Sequence, residues 1–165
     1  MINKVLNLMI NYNSPDVRRI NHAIKVFSFA VNIAEEEACD REIFDTIAYA
    51  SILHDIGIHE AENKHGSSAG EFQEIEGPLI AKKKKKNTEI SEKIKNRIFY
   101  LIGNHHTYSK IDGIDFQILV EADFLVNIYE DEINRESIKS IKNKIFKTKK
   151  GIELLDTLYL NNSEL

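Results

Sequence analysis

The sequence is poor in residues that interrupt helices or cross-link chains: it has one cysteine, two prolines and seven glycines among 165 residues, and no tryptophan. A single cysteine, Cys39, cannot form an internal disulfide, which excludes a disulfide-stabilised scaffold and fits a reducing compartment. No apolar run approaches the roughly 20 residues of a membrane-spanning helix, and the N-terminal segment lacks the apolar core of a signal peptide. We therefore expect a cytoplasmic protein that does not bind membranes.

The chain also has no excess of basic residues. Lys and Arg total 22 against 26 Asp and Glu, so the formal net charge is −4. Proteins that coat nucleic acids are normally basic, so nucleic acid is disfavoured as a partner. The run Lys82–Lys86 is interpreted as a solvated helix surface, because five consecutive helical residues spread around the axis. Length and an apolar content of 42% predict one folded domain over residues 1–165.

Long stretches without Gly or Pro have apolar residues at helical spacing, and no stretch alternates as a half-buried strand would. Ser14 and Pro15 predict the start of one long helix, with Ser14 as its cap and an end near Glu37. Gly57 is predicted to end the helix after it, and residues 58–70 are predicted to form a loop. A short N-terminal helix is expected before these elements.

Further helices are predicted along the rest of the chain. Gly77 and Pro78 indicate either a helix start or a bend within one, Asn134 is a candidate cap, and Gly151 is expected to separate the last two helices. These helices are expected over about 79–86, 88–105, 116–129, 134–149 and 152–160. The predicted fold class is all-α, a bundle of seven or eight helices with a core region of about 18–131 and C-terminal helices of about 134–160.

Titratable residues continue the apolar stripes of four predicted helices. Burying a charged group is costly unless it is paired or binds a metal, and helix bundles build metal sites from inward side chains. Any one of these residues alone would be interpreted as a satisfied core residue, but together they predict a metal site. The residues are His22, His54 followed by Asp55, His105 followed by His106, and Asp123. Imidazole and carboxylate ligands without thiolate suit Fe, Mn, Zn, Co or Ni.

The order His22, then His54-Asp55-Ile56-Gly57, then Asp123 resembles the pattern of the HD-domain superfamily of metal-dependent phosphohydrolases. The resemblance extends over roughly Ile20–Asp131. It implies that His22, His54, Asp55 and Asp123 bind one metal ion. Asp55 would orient a water activated by that ion, and would bridge to a second ion where one is bound.

Dinuclear members of this family have further ligands between the His-Asp pair and the last Asp. The adjacent pair His105-His106 resembles some of these ligands. Another of them is a His before a Gly-Ala-like helix start, and here Glu76 stands at the comparable place. Glu76, His105 and His106 are therefore candidate ligands of a second ion, and the sequence leaves the number of ions at one or two per chain.

The resemblance implies hydrolysis of a phosphate ester of a small molecule, with nucleotides among the candidates. Three cations are candidate phosphate contacts: Arg18, Arg19 and Lys64. The roles of His59 and His65, which follow the His-Asp pair, are left open.

Two other functions stay open at this point. Some dinuclear-iron relatives are oxygenases, and a site of histidines and carboxylates is compatible with that chemistry. A non-catalytic helical module with a structural metal site is the other alternative. The helices after Asn134 contain no predicted ligands, and they are free to cover the bundle or to form the contact of a homodimer.

Overall fold

The computed structural model describes residues 2–84 and 90–161, and every regular element in these ranges is helical. The described residues form nine α-helices, not the seven or eight expected, together with a 3-10 turn at Tyr108–Lys110 and a π turn at Asp156–Leu160. In chain order they are α1 (Ile2–Asn13), α2 (Val17–Glu36), α3 (Arg41–Leu53), α4 (Ile58–His65), α5 (Gly70–Lys84), α6 (Glu92–Ile102), α7 (Ile114–Glu130), α8 (Arg135–Ile145) and α9 (Lys149–Leu155). The predicted all-α class is confirmed.

The core of the bundle lies where α2, α3 and α7 pack against one another. Helix α2 has the two apolar faces that its sequence indicates, and Val26, Ile33 and Ala34 are fully buried. Helix α7 is buried along most of its length, because apolar residues occur on several of its faces. Helix α1 packs on α2 and α3 through Val5 and Met9. An inward polar group on α2, α3 or α7 therefore lies deep in the molecule.

Helix α4 corrects the prediction of a loop over residues 58–70. The segment is helical from Ile58 to His65, and Ile58 and Ala61 are its buried residues. Its other side chains are polar and lie toward the surface, which is why apolar periodicity did not indicate a helix. Gly66, with φ of +67°, ends the helix in the left-handed conformation that favours glycine.

Several predicted helix ends are also corrected. Asp16, not Ser14, caps α2, because its carboxylate accepts a hydrogen bond from the backbone N–H of Arg19. Pro78 lies inside α5, and Ser91 caps α6. The predicted start at Thr88 lies outside the described residues, as do Lys85 and Lys86.

The C-terminal helices are divided at a different place from the one expected. Asn134 caps α8 as predicted, since its side chain accepts from the backbone N–H of Ser137. Helix α8 ends at Ile145, and Thr148 caps α9. Gly151 is buried within α9 and does not separate two helices. None of the helices in the described residues has the combination of length and apolar character needed to cross a lipid bilayer.

Candidate metal centre

Four predicted ligands from α2, the end of α3 and α7 meet in the interior. His22 Nε2 lies 3.2 Å from His54 Nε2 and 3.2 Å from Asp123 Oδ1. Asp55 Oδ2 lies 3.6 Å from His22 Nε2 and 3.5 Å from His54 Nε2. His54 Nε2 lies 3.6 Å from Asp123 Oδ1. The structure thus brings together the four residues that the HD-like pattern singles out.

The backbone around these residues explains how they approach one another. His54 is the C-cap of α3, so Asp55 lies just past the helix, at the point where the chain turns toward α4. That turn packs directly on α5: a Cβ atom on Gly57 would lie 2.5 Å from the backbone nitrogen of Gly77. Only glycine leaves room for this contact, which holds the His-Asp turn against its neighbour.

Hydrogen bonds orient the three inward imidazoles. His54 Nδ1 lies 2.9 Å from the carbonyl oxygen of Ser51, and His105 Nδ1 lies 2.8 Å from that of Ile102. His22 Nδ1 lies 3.0 Å from Glu130 Oε2. Carbonyl and carboxylate oxygens only accept, so each Nδ1 carries the hydrogen and donates it. In the neutral imidazole, each Nε2 therefore presents a lone pair, as a metal ligand must.

A second group lies beside the first one and shares Asp55. Asp55 Oδ1 lies 3.3 Å from His105 Nε2, while Asp55 Oδ2 faces His22 and His54. Asp55, His105 and His106 each offer one ligand atom, and these atoms all lie within 4.8 Å of one another. A carboxylate with one oxygen toward each group has the arrangement of a bridging ligand.

The donor atoms fit a first-row metal ion. Within the described part of the chain, His105 Nε2 and Asp123 Oδ1 are buried without a hydrogen-bond partner, which is costly unless something else satisfies them. Ligand atoms about 2.1 Å from one ion are about 3.0–3.4 Å apart in octahedral or tetrahedral coordination. The separations between 3.2 Å and 3.6 Å in the first group are close to these values. Lone pairs that converge in this way could hold a metal ion.

The electrostatics of the first group follow from burial and from its carboxylates. Burial lowers the pKa of His22, but Asp123 and Asp55 outweigh it and raise this pKa to about 9. Burial raises the pKa of Asp123, but the imidazoles of His22 and His54 hold it well below its usual range. Burial and the neighbouring His105 lower the pKa of His106 to about 4. Burial also lowers the pKa of His54, but Asp55 and Asp123 raise it overall, so without a metal ion protonated imidazole balances the carboxylates of the first group.

A cleft of about 400 Å³ opens beside the first group, and both His22 and Asp55 line it. Its other lining residues are polar or charged except for Ile58: Asp16, Arg18, Arg19, Ser68, Gln73, Asn127, Glu130 and Asp131. Two of the three predicted phosphate contacts, Arg18 and Arg19, thus border the site.

The predicted cations differ in what they already bind. Arg18 is exposed and has no ion pair within the residues that the structure describes. Arg19 pairs with Glu62 at 2.5 Å. Lys64 does not line the cleft, and it pairs with Glu76 at 2.8 Å and Glu60 at 3.0 Å. Arg18 is therefore the cation most available to a ligand.

Glu76 lies in neither group of potential ligands. It is buried, but one oxygen accepts a hydrogen bond from Lys64 and the other lies 3.2 Å from His65 Nε2. These partners satisfy the carboxylate away from His105 and His106. His65 also stacks on Phe72 of α5, and His59 Nδ1 lies 3.0 Å from Arg19 Nη1 of α2, so these two histidines join α4 to its neighbouring helices.

Sequence reasoning missed Glu130 and Gln73. Glu130 lies seven residues after Asp123, which is two helical turns along the same face of α7, and this spacing was a usable signal. Gln73 Oε1 lies 3.3 Å from His106 Nε2. No local pattern indicates that contact, because it joins α5 to the segment after α6.

Comparisons with known proteins bear on the fold. No protein-family model and no curated protein matches the chain. The structure is similar to the crystal structure of a predicted HD superfamily hydrolase from an uncultured Thermotogales bacterium, with a TM-score of 0.68 and 19% sequence identity. The match covers 95% of this chain and 84% of the other. The fold and the buried His/Asp groups together confirm the resemblance seen in the sequence: this chain has an HD-superfamily-like fold with residues that could hold metal.

Proposed function

We propose that the protein is a metal-dependent phosphohydrolase that hydrolyses a phosphate ester of a small molecule. The observation that carries this proposal is the convergence of His22, His54, Asp55 and Asp123 beside an open polar cleft. A divalent transition metal ion (Fe, Mn, Zn, Co or Ni), when bound, supplies a water of lowered pKa and offsets the negative charge of the phosphate.

Asp55 has the catalytic role in this proposal. It lines the cleft, so its carboxylate is accessible to a water molecule there, unlike the fully buried imidazole of His54. It would accept a hydrogen bond from the attacking water and hold it toward the phosphorus atom. His22, His54, Asp55 and Asp123 would hold the first ion. Where a second ion is bound, His105 and His106 would hold it, and Asp55 would bridge the two ions.

The cleft supports a small and polar substrate. Its volume of about 400 Å³ lies within the range of small-molecule sites. Arg18 would bind the phosphate through its planar guanidinium, which suits bidentate contact with two oxygens. Arg19 and Lys64 are already paired with carboxylates, so their main effect would be to support α4.

The test measures metal content and hydrolysis together. Protein purified without a chelator is analysed for metals and then assayed with each ion on p-nitrophenyl phosphate, bis(p-nitrophenyl) phosphate, nucleotides and sugar phosphates. We expect one or two ions per chain and metal-dependent release of phosphate or alcohol. Asp55→Asn should abolish turnover, and Arg18→Gln should raise KM with little change in kcat.

Glu132→Gln is the matched control for Asp55→Asn. Glu132 is exposed and lies outside the cleft, so this change removes one negative charge nearby without touching the site. The control should keep full activity. A protein that binds the ions and hydrolyses none of these esters would contradict the proposal.

A further inference from the structure

We infer that Glu130 is a positioning residue, which holds the imidazole of His22 in the orientation and tautomer of a metal ligand, and that Lys25 holds Glu130 in turn. The inference rests on the proposed metal centre but not on the reaction that the centre performs.

His22 differs from the other two inward histidines in the acceptor that it uses. His54 and His105 donate to carbonyl oxygens three residues earlier, at Ser51 and Ile102. Their own helices therefore fix their orientation. His22 lies inside α2, and its Nδ1 donates to the carboxylate of Glu130 on α7. The orientation of His22 thus depends on a residue 108 positions away.

Glu130 is itself held in place. Its Oε2 accepts from His22, and its Oε1 accepts from the ammonium of Lys25. Lys25 lies three residues after His22 on α2, so one helix supplies both partners of the carboxylate. The Glu130 side chain is only 14% exposed, which limits competition by water. Both oxygens are engaged, and little freedom to rotate is left.

A carboxylate acceptor does more for a metal ligand than a carbonyl does. It fixes the hydrogen on Nδ1, and its negative charge makes the opposite nitrogen a stronger donor to a cation. Removal of such a partner typically weakens metal binding by about 10- to 100-fold. Gln at this position would still accept the Nδ1 hydrogen but would lack the charge. The charge and the orientation can therefore be separated experimentally.

The experiment measures the Kd for Co²⁺ by competition with a chelator, and the visible spectrum of the bound Co²⁺, which reports ligand geometry. We expect Glu130→Ala to raise the Kd by about 10- to 100-fold and to change the spectrum. Glu130→Gln should raise the Kd less and keep the spectrum close to that of the unaltered protein. Lys25→Met, which frees Glu130 without removing the acceptor, should raise the Kd by a smaller factor than Glu130→Ala.

Glu132→Gln is again the control. It removes a negative charge two residues from Glu130, while the acceptor of the His22 Nδ1 hydrogen, Glu130, is left in place. Circular dichroism melting shows whether each variant is folded. If Glu130→Ala does not fold, Lys25→Met still tests the inference. An unchanged Kd and spectrum in Glu130→Ala, or an equal loss in Glu132→Gln, would overturn it. So would a failure of the unaltered protein to bind Co²⁺. Metal binding without phosphate hydrolysis would contradict only the proposed function.

Discussion

In the proposed metal centre, His22 would link protonation to metal binding. The carboxylates of Asp55 and Asp123 attract either a proton or a metal ion to the same place, so the two cations compete. The competition is set by burial: in water, these groups would ionise almost independently, whereas in the interior each depends on the charge of the other.

The pKa of about 9 for His22 predicts the pH dependence of metal binding. Below that value the ion must displace the proton of His22, and the pKa of His54 is raised as well, so the apparent affinity should rise by at least about tenfold per pH unit between pH 7 and pH 9. Titrations with Zn²⁺ or Co²⁺ at several pH values check this. An affinity that is constant across this range would contradict the assignment.

The same pKa predicts the stability of the metal-free protein. The folded pKa of His22 is raised from 6.5 to about 9, so its contribution to the free energy of unfolding is fully present below pH 6.5 and is lost as pH rises through 9. Urea unfolding of chelator-treated protein should therefore give a lower free energy of unfolding at pH 9 than at pH 6.5. His22→Gln should flatten this dependence, and an equally steep decline in that variant would assign it to another group.

At the scale of elements, the C-terminal helix α9 depends on a distant residue of α7. Glu121 is fully buried, and its carboxylate accepts from the backbone N–H groups of Lys147 and Thr148 and from the hydroxyl of Thr148. These contacts give the donors just before α9 a hydrogen-bond acceptor, and they attach the start of this helix to α7 in the centre of the bundle.

Removal of this carboxylate should be strongly destabilising. Glu121→Ala would leave the buried N–H of Thr148 and the part-buried N–H of Lys147 without this acceptor, and we expect a loss of about 3 kcal/mol in the free energy of unfolding. Glu153→Ala, which removes an exposed pair with Lys150, should leave the free energy of unfolding nearly unchanged. Urea denaturation of both variants measures the difference. A cost for Glu121→Ala no larger than that of the control would show that the start of α9 is satisfied in another way.

A second contact between elements joins the turn after Asp55 to α5, where Gly57 packs on the backbone of Gly77. In Gly57→Ala, the new Cβ would meet the backbone of Gly77 and the carbonyl of Gln73, and backbone cannot move aside cheaply. We expect a loss of about 1–3 kcal/mol in stability, together with weaker metal binding because Asp55 is displaced.

Gly66→Ala is the comparison for Gly57→Ala. Its Cβ would meet nothing within 4 Å, and its cost arises only from a positive φ. It should cost about 1–2 kcal/mol and leave the metal Kd unchanged. If Gly57→Ala leaves the metal Kd unaltered, the contact between Gly57 and α5 does not position Asp55 for metal binding.

At the scale of the whole molecule, the candidate centre joins segments that are far apart in the chain. An ion bound by residues of α2, the end of α3 and α7 would stabilise the folded state relative to the unfolded chain, which does not hold these residues together.

Metal should therefore raise the melting temperature. At about 100 times the Kd, a single ion adds about 2.7 kcal/mol, which corresponds to a rise of about 5–10 °C for a domain of this size. Differential scanning calorimetry with and without Mn²⁺ or Zn²⁺ measures it. Asp123→Asn should lose the rise and Glu132→Gln should keep it. The same rise in both variants would place the binding elsewhere on the protein.

Local patterns in the sequence were sufficient for the all-α class and for the inward direction of His22, His54, His105 and Asp123. Helical periodicity is set by the backbone itself, so a polar residue on an apolar stripe faces inward wherever the helix finally packs. The order of these residues also indicated an HD-like fold, and the similarity to the crystal structure of a predicted HD superfamily hydrolase supports that fold.

Only the tertiary structure decided which groups satisfy one another. It pairs Glu76 with Lys64, joins Glu130 to His22 and Lys25, and leaves Arg18 facing the cleft while Arg19 pairs with Glu62. These contacts depend on the distances between helices that are remote in sequence, and no periodic signal encodes such distances. The polar helix α4 was missed for a related reason, since two buried residues and its packing on α5 stabilise it.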